Sequence, residues 1–506
     1  MVPGAIYLIF WGTGIYYSQT MLAGTWRGRA GQGGDGDDPG DGERTIFPIA
    51  NTYSRSMNMF FDLIGNPVLI SVAILLFLSV IRLNVVFALI LASLIGGLVA
   101  GLDCSETMKV FLGSGLANGA KLAFNYAMLG AFSIAISCSG ITELLAQALF
   151  KRINGEVTPK RILVFKYTLL LILTLASISS QNLIPVHIAF IPVLIPPLLQ
   201  VFERIRLDRR AVACILTFGL ITPYMVMPFG FGRIYLNDIL IANIVSNGVE
   251  VTKDMAPKAM FIPALGMLAG LLIAVFFSYR KPRDYDEKKT AEMDAAEKVE
   301  IRPWKVCVGV VSIIFALAGQ IWMDSLVVAA LAGILVFVIS GVISLRGTQD
   351  IFVKGVHLMG GIGIIMIAAN GFAEVMKATG SVNSLVEFVS SGIGDQRGLA
   401  VFLMLLIGLI ITMGIGSSFS TVPLIAAIYV PLCVKLGLSP LAVIAIVGTA
   451  GALGDAGSPV SESVLGPTAG LNADGQHDHI YDSTIPTFIH YNLPLLAAGW
   501  IAGMLL

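Results

Sequence analysis

The chain has 506 residues, no net charge at pH 7, and only 13% charged against 56% hydrophobic residues, with a mean hydropathy of +0.84. Soluble domains carry roughly 25% charged residues, so this composition excludes an ordinary soluble domain; with its repeated apolar runs of spanning length it describes an all-α polytopic membrane protein. The five cysteines stand singly with no C-x-x-C pair, which indicates neither a zinc nor a redox site.

Residues 1–60 are unlike the rest. Met1–Gly24 is loosely apolar, and Arg27–Arg44 is a Gly/Asp-rich stretch expected to be flexible. No basic segment precedes the apolar run, so a signal peptide is not expected. The reading is a poorly structured extension with a mis-assigned start, Met57 or Met59 opening the protein; a short extra helix is the alternative.

From Asn66 the pattern becomes regular, with apolar segments at approximately 67–81, 84–102, 121–150, 162–180, 185–202, 211–240 and 259–279. A charged linker follows, and further segments run at approximately 304–320, 325–345, 359–378, 398–416, 421–436, 440–470 and 484–504. The expected division is a first transmembrane repeat at 61–280, a cytoplasmic linker at 281–304 and a second repeat at 305–506. Register supports duplication. At one nearly constant offset, Leu83-Asn84 matches Met323-Asp324, Gly140 matches Gly380, Ser179-Ser180 matches Ser417-Ser418, and Thr222–Pro228 faces Asp455–Pro459.

The fourth and fifth segments of each half are joined by SSQNLIP (179–185) and GIGSSFSTVP (414–423), which hold small polar residues and no charge. Two full spans joined at a bilayer surface would show charge at the join. Re-entrant hairpins explain its lack, with an ordinary tight turn as the alternative. Five spans and one hairpin per half force the second half to enter from the opposite face, giving an inverted-topology repeat with two re-entrant hairpins and two broken helices. On that topology one side collects Arg82, the basic residues of 151–161 and 204–210, and those of the linker. The other collects Lys109, Lys121, Lys253, Lys258, Lys377, Arg397 and Lys435. The basic side is then cytoplasmic, and the last helix ends outside.

Four clusters are expected to converge near the midplane: 179–182, 222–233, 416–421 and 454–463. The last, within IVGTAGALGDAGSPVSESVLGPTAG (446–470), gathers acids, glycines and prolines inside an apolar segment. Irregular backbone survives there only if buried in protein or lining a cavity, and ionisable side chains at such depth are functional candidates. A polar loop between two spans is the plainer reading. Asp455 and Glu462, with Ser458 and Ser461, form the candidate ion and proton site, and Asp455 is the candidate sodium ligand. Carboxylate, carbonyl and hydroxyl oxygens suit a hard cation. Pairing of a carboxylate with Arg233 is the structural alternative. Ser180, Gln181, Asn182, Ser417, Ser418, Ser420, Thr421, Thr222 and Arg233 are the candidate hairpin and substrate-binding residues. Glu143, Asp238, Asp324 and Glu374 are further acids in or near apolar segments. Glu374 is expected to pair locally with Lys377, and His187 to be a hydrogen-bonded core residue.

GDAGSPVSES resembles the GD-x-x-SP-x-S-D/E signature of the NhaC-type sodium/proton antiporter family. NPVLISVAILLFLSVIRLNVVFALILASLIGG resembles the amino-terminal segment of one branch of that family. The likeness covers roughly residues 60–506. It implies the inverted-repeat, hairpin-bearing architecture of the wider ion-transporter superfamily, with Asp455, Ser458, Ser461 and Glu462 in the ion and proton site. Ala456-Gly457 departs from members with bulkier or charged residues there. The branch includes relatives linked to amino-acid uptake.

Two readings follow: a secondary antiporter exchanging sodium for protons, or a sodium- or proton-coupled transporter of an organic solute such as an amino acid. An intramembrane aspartyl protease would want G-x-G-D, where this chain has Ala452-Leu453-Gly454-Asp455, so no enzyme is expected. No ATPase signature is present. No cofactor is expected; sodium and protons are the transported or coupling ions. The expected partners are the bilayer and these ions, with a small organic solute and a second copy of the chain left open, and no nucleic acid. The expected location is the inner (plasma) membrane, crossed many times.

Overall fold

The computed structural model describes residues 65–141, 159–182, 191–286, 302–323, 325–381 and 396–506, with 144 and 289 besides. The amino-terminal extension, Glu143, His187, Asp324, most of the linker and the side chains of Gln181 and Asn182 lie outside these described residues.

The principal helices of the first half are α1 (Pro67–Val80), α2 (Val85–Val99), α3 (Ser114–Ser137), α4 (Pro159–Asn182), α5 (Arg209–Val226) and α6 (Phe261–Ile273). Those of the second are α7 (Pro303–Met323), α8 (Leu326–Ile339), α9 (Gly347–Ala378), α10 (Arg397–Ile415), α11 (Ser418–Lys435), α12 (Pro440–Ala452), α13 (Glu462–Leu471) and α14 (Leu493–Leu505). Nine helices among the described residues are long and apolar enough to cross a membrane. Local chemistry sets their starts: Asn66 accepts from the amides of Val68 and Leu69 with Pro67 in the first turn, and Asn84 and Ser325 cap α2 and α8. α3 begins seven residues earlier than its apolar run announces, because small residues (Ser114, Gly115, Ala117, Gly119) continue the helix where it meets α9.

α3 and α9 pack backbone to backbone. A Cβ on Gly115 would sit 2.4 Å from Cα of Gly371, one on Gly119 2.4 Å from Cα of Ile367, and one on Gly355 2.1 Å from N of Ala131. Only glycine permits that approach. The partners run in opposite order along the two helices, so α3 and α9, third in their respective halves, lie antiparallel. Equivalent helices pointing in opposite directions are the signature of an inverted-topology repeat.

The helix ends sort into two groups. At one, Arg206 pairs with Asp284, Lys166 donates to the carbonyl of Arg280, Arg209 pairs with Asp474, and Arg82 lies over the Tyr481 ring. At the other, Asn66 donates to the carbonyl of Ser381, Trp500 to that of Gly398, and Ser439 to that of Leu506. The arginine-rich group holds the linker.

Candidate functional site

Two helices stop inside the molecule. α5 ends at Val226, the chain runs through Pro228 and Gly230, and helical structure resumes at Phe231. α12 ends at Ala452 and α13 begins only at Glu462. Between them Gly454 and Gly457 adopt φ of +88° and +89°, and a Cβ on Gly457 would fall 2.4 Å from Cα of Phe488. The loop therefore needs glycine twice over, for its turn and for its fit. Beside it α10 and α11 meet in a turn at Gly416 and Ser417, also with positive φ at the glycine.

Asp455 lies in this break, 6% exposed, and hydroxyls surround it. Tyr224 of α5 donates to Oδ2 at 2.7 Å, and Ser418 at the start of α11 donates to the same oxygen at 2.6 Å. Ser461 and, at 3.3 Å, Ser463 donate to Oδ1. Tyr224 and Ser418 are also 2.7 Å from each other. Three oxygens thus form a triangle of close contacts. With Asp455 ionised, two hydroxyl hydrogens serve three edges. The third contact is served by a hydroxyl hydrogen shared between two acceptors or by a proton on the carboxyl.

Asn492, at the entry to α14, brackets the acid. Its Oδ1 accepts from the Gly454 amide at 2.8 Å and its Nδ2 donates to the carbonyl of Ala456. Free backbone groups on both sides of Asp455 are satisfied by one side chain.

A cavity of about 260 Å³ opens onto Asp455, lined also by Tyr224, Ser417, Glu462, Ser463 and Asn370, with Phe231, Phe419 and Met366 as its apolar wall. Glu462 occupies the first turn of α13, so both carboxylates face one space although the helix is interrupted. Other expected residues are placed differently. Ser458 donates to the carbonyl of Met413 at 2.8 Å, tying the loop to the end of α10 instead of holding Asp455. Ser180 is buried and donates within α4 to the carbonyl of Ser177, and Thr421 donates to the carbonyl of Ser417. Ser420 is exposed. Thr222 is buried one residue before Pro223, its hydroxyl without a hydrogen-bond partner among the described residues. Arg233 is exposed, and the hydrogen bonds to Asp455 come from hydroxyls, not from a guanidinium. Glu374 pairs with Lys377 at 2.7 Å, and Asp238 is exposed.

Tyr224 and Asn492 are contributors that sequence reasoning passed over. A tyrosine in an apolar helix reads as core, and its signal was positional only, following Thr222-Pro223 opposite Asp455.

The family model described as Na+/H+ antiporter family matches residues 215–500, which include Tyr224, both carboxylates and Asn492. A second model, described as Na+-H+ antiporter family, matches residues 66–153. The chain belongs to the Na+/H+ antiporter family. As a member of that family it is a secondary transporter of the inner membrane, crossing it many times, and not an enzyme. An uncharacterized membrane protein of Vibrio parahaemolyticus is 55% identical over 442 residues, covering 87% of this chain and all (100%) of that protein. The candidate amino acid transporter YuiF of Bacillus subtilis is 44% identical over 447 residues, covering 87% of this chain and 100% of YuiF. Among solved structures, Neisseria gonorrhoeae MtrF, described as illuminating a class of antimetabolite efflux pumps, is similar with a TM-score of 0.38 and 15% identity over 83% of this chain and 94% of that one. A likeness that distant carries nothing further.

Proposed function

We propose that this antiporter-family chain exchanges sodium for protons at Asp455, its two halves (61–280 and 305–506, joined by the linker at 281–304) rocking about the two helix breaks. The observation that carries the reading is the buried Asp455 carboxyl, held by the hydroxyls of Tyr224 and Ser418 and faced by no basic side chain in its hydrogen bonds among the described residues. Either a proton or a dehydrated cation balances its charge. Ser461 and Ser463 add two hydroxyls to a donor set made wholly of hard oxygens, which suits sodium. Glu462 places a second carboxyl in the same cavity and modulates the exchange. The turn at Gly416–Ser417 meets Asp455 part-way along the interrupted α12–α13 segment, which supports reading α10 and α11 as the arms of a re-entrant hairpin.

A second reading rests on the cavity. About 260 Å³ with aromatic walls and Asn370 far exceeds the roughly 10–15 Å³ a single water needs. That space suits cation-coupled transport of a small amino acid, in keeping with the name given to YuiF. Purified protein in liposomes separates the two. Internal pH is followed while sodium, lithium and single amino acids are added in turn. A sodium-driven pH change without amino acid supports exchange; a response only to an amino acid supports the second reading; no response to any of them removes both.

A further inference from the structure

At the arginine-rich end, Arg206, Arg209, Arg210 and Arg283 each pair with an aspartate. Lys166 does not. It lies two turns into α4, is 7% exposed, and donates at 3.0 Å to the carbonyl of Arg280, just beyond α6. That is its one hydrogen bond among the described residues. An ammonium carries three hydrogens and accepts none, so two stay uncommitted on a buried charge. Asp208 acts on Lys166 through space. Its oxygens, however, already accept from Arg210, and Arg283 stands 3.8 Å away.

The surroundings add charge of the same sign. Lys160 and Arg161 open α4, within about 9 Å of Lys166 along the helix axis. Cations there oppose the positive end of the helix dipole. Arg280 and Lys281 follow α6, which runs on as helix to Ser278. All four are exposed, and none pairs with an acid among the described residues. The two helices meet at this corner, where the Tyr167 ring stacks on Phe276 at 5.1 Å. A buried ammonium with idle hydrogens, ringed by unpaired cations, calls for an anion.

The outer side of the corner is apolar. Leu163 and Val164 of α4, and Phe276 and Phe277 of the α6 extension, are large exposed side chains directly beside the cations. A free anion uses only the charge. An amphiphile uses both surfaces, and basic pockets between spanning helices on the cytoplasmic side suit anionic lipid headgroups.

We propose that the corner between α4 and α6 binds an anionic glycerophospholipid of the cytoplasmic leaflet. Lys166 donates to a phosphate oxygen, the exposed cations balance the headgroup charge, and an acyl chain lies along Val164 and Phe277. The bound phosphate fastens α4 to the start of the linker, whose Arg283 reaches Asp482 in the second half.

The test uses the full chain, stripped of lipid in detergent. Phosphatidylglycerol, zwitterionic phosphatidylethanolamine and inorganic phosphate are added in turn. Native mass spectrometry measures what is retained, and the melting temperature is followed alongside. Phosphatidylglycerol is expected to be retained and to raise the melting temperature; the other two should do neither. Lys166→Met should weaken that retention at least tenfold. So should the double variant Arg280→Gln with Lys281→Gln, whose backbone still accepts from Lys166. Arg346→Gln, which removes an exposed cation at the start of α9, should leave it unchanged. Undiminished retention in the first two variants overturns the site. An equal loss in Arg346→Gln also overturns it, since that marks a diffuse attraction of the whole basic face. Equal retention of phosphatidylethanolamine, or inorganic phosphate binding as tightly as the lipid, overturns the assignment to an anionic lipid. If Lys166→Met fails to fold, the exposed Arg280 and Lys281 pair decides alone.

Discussion

Tyr224 donates a 2.7 Å hydrogen bond to Asp455 across 231 residues. The same spacing separates the start of α5 at Arg209 from that of α12 at Pro440, and Phe231 from Glu462. Positions that correspond in the two halves therefore touch, as they do where two inverted elements cross. The acid has no acidic counterpart; a phenol stands in its place and serves it.

Tyr224→Phe keeps the ring packed against Tyr235 and Phe419 and removes only the hydroxyl. A hydrogen bond to a charged group contributes about 1.5–3 kcal/mol, so apparent sodium affinity should fall roughly 10- to 100-fold with expression unchanged. Isothermal titration of sodium into purified protein measures this. An unchanged affinity would remove Tyr224 from the site.

Asp455→Asn preserves shape but removes the charge that a proton or cation must balance. Coupled flux in proteoliposomes should disappear while the protein remains in the membrane. Glu462→Gln leaves the oxygen triangle intact and should shift the pH profile of transport without abolishing it. Normal pH-dependent flux by Asp455→Asn at normal expression would sink the assignment.

Arg209 and Asp474 are both fully buried and joined by two 2.7 Å hydrogen bonds, with the Tyr285 ring 4.1 Å from the guanidinium. This pair ties the start of α5 to the segment after α13. Removing one partner strands a buried charge, so Asp474→Asn should cost about 3–5 kcal/mol, read as a loss of thermal stability in detergent. Replacing both partners with apolar residues of similar volume should recover most of it. A single variant as stable as wild type would contradict the burial.

Cysteines at Ser180 and Ser418, both buried, should resist a membrane-impermeant thiol reagent in resting vesicles. A reporter fused after Arg283 should register cytoplasm, and one after Leu506 the outside. Rapid labelling from the bulk, or both reporters on one face, would dispose of the re-entrant hairpins.

Much of this was legible without coordinates, because its causes are local. A scarcity of charge announces spanning helices, glycine and proline beside an acid announce a break, and clustered arginines announce one end. Linear spacing suggested a duplication, and in the structure Gly140 and Gly380, and also Gly101 and Gly341, take positive φ. What the chain alone left undecided was which polar groups meet. Ser458 and Ser461 look equivalent in GSPVSES, yet one hydroxyl turns to Met413 and the other to Asp455. Tyr224, Ser418 and Asn492 reach the acid from three separate helices. Hydroxyl and amide bonds act over about 3 Å and within narrow angles, so their partners are chosen by how those helices cross, and only the packed structure contains that information.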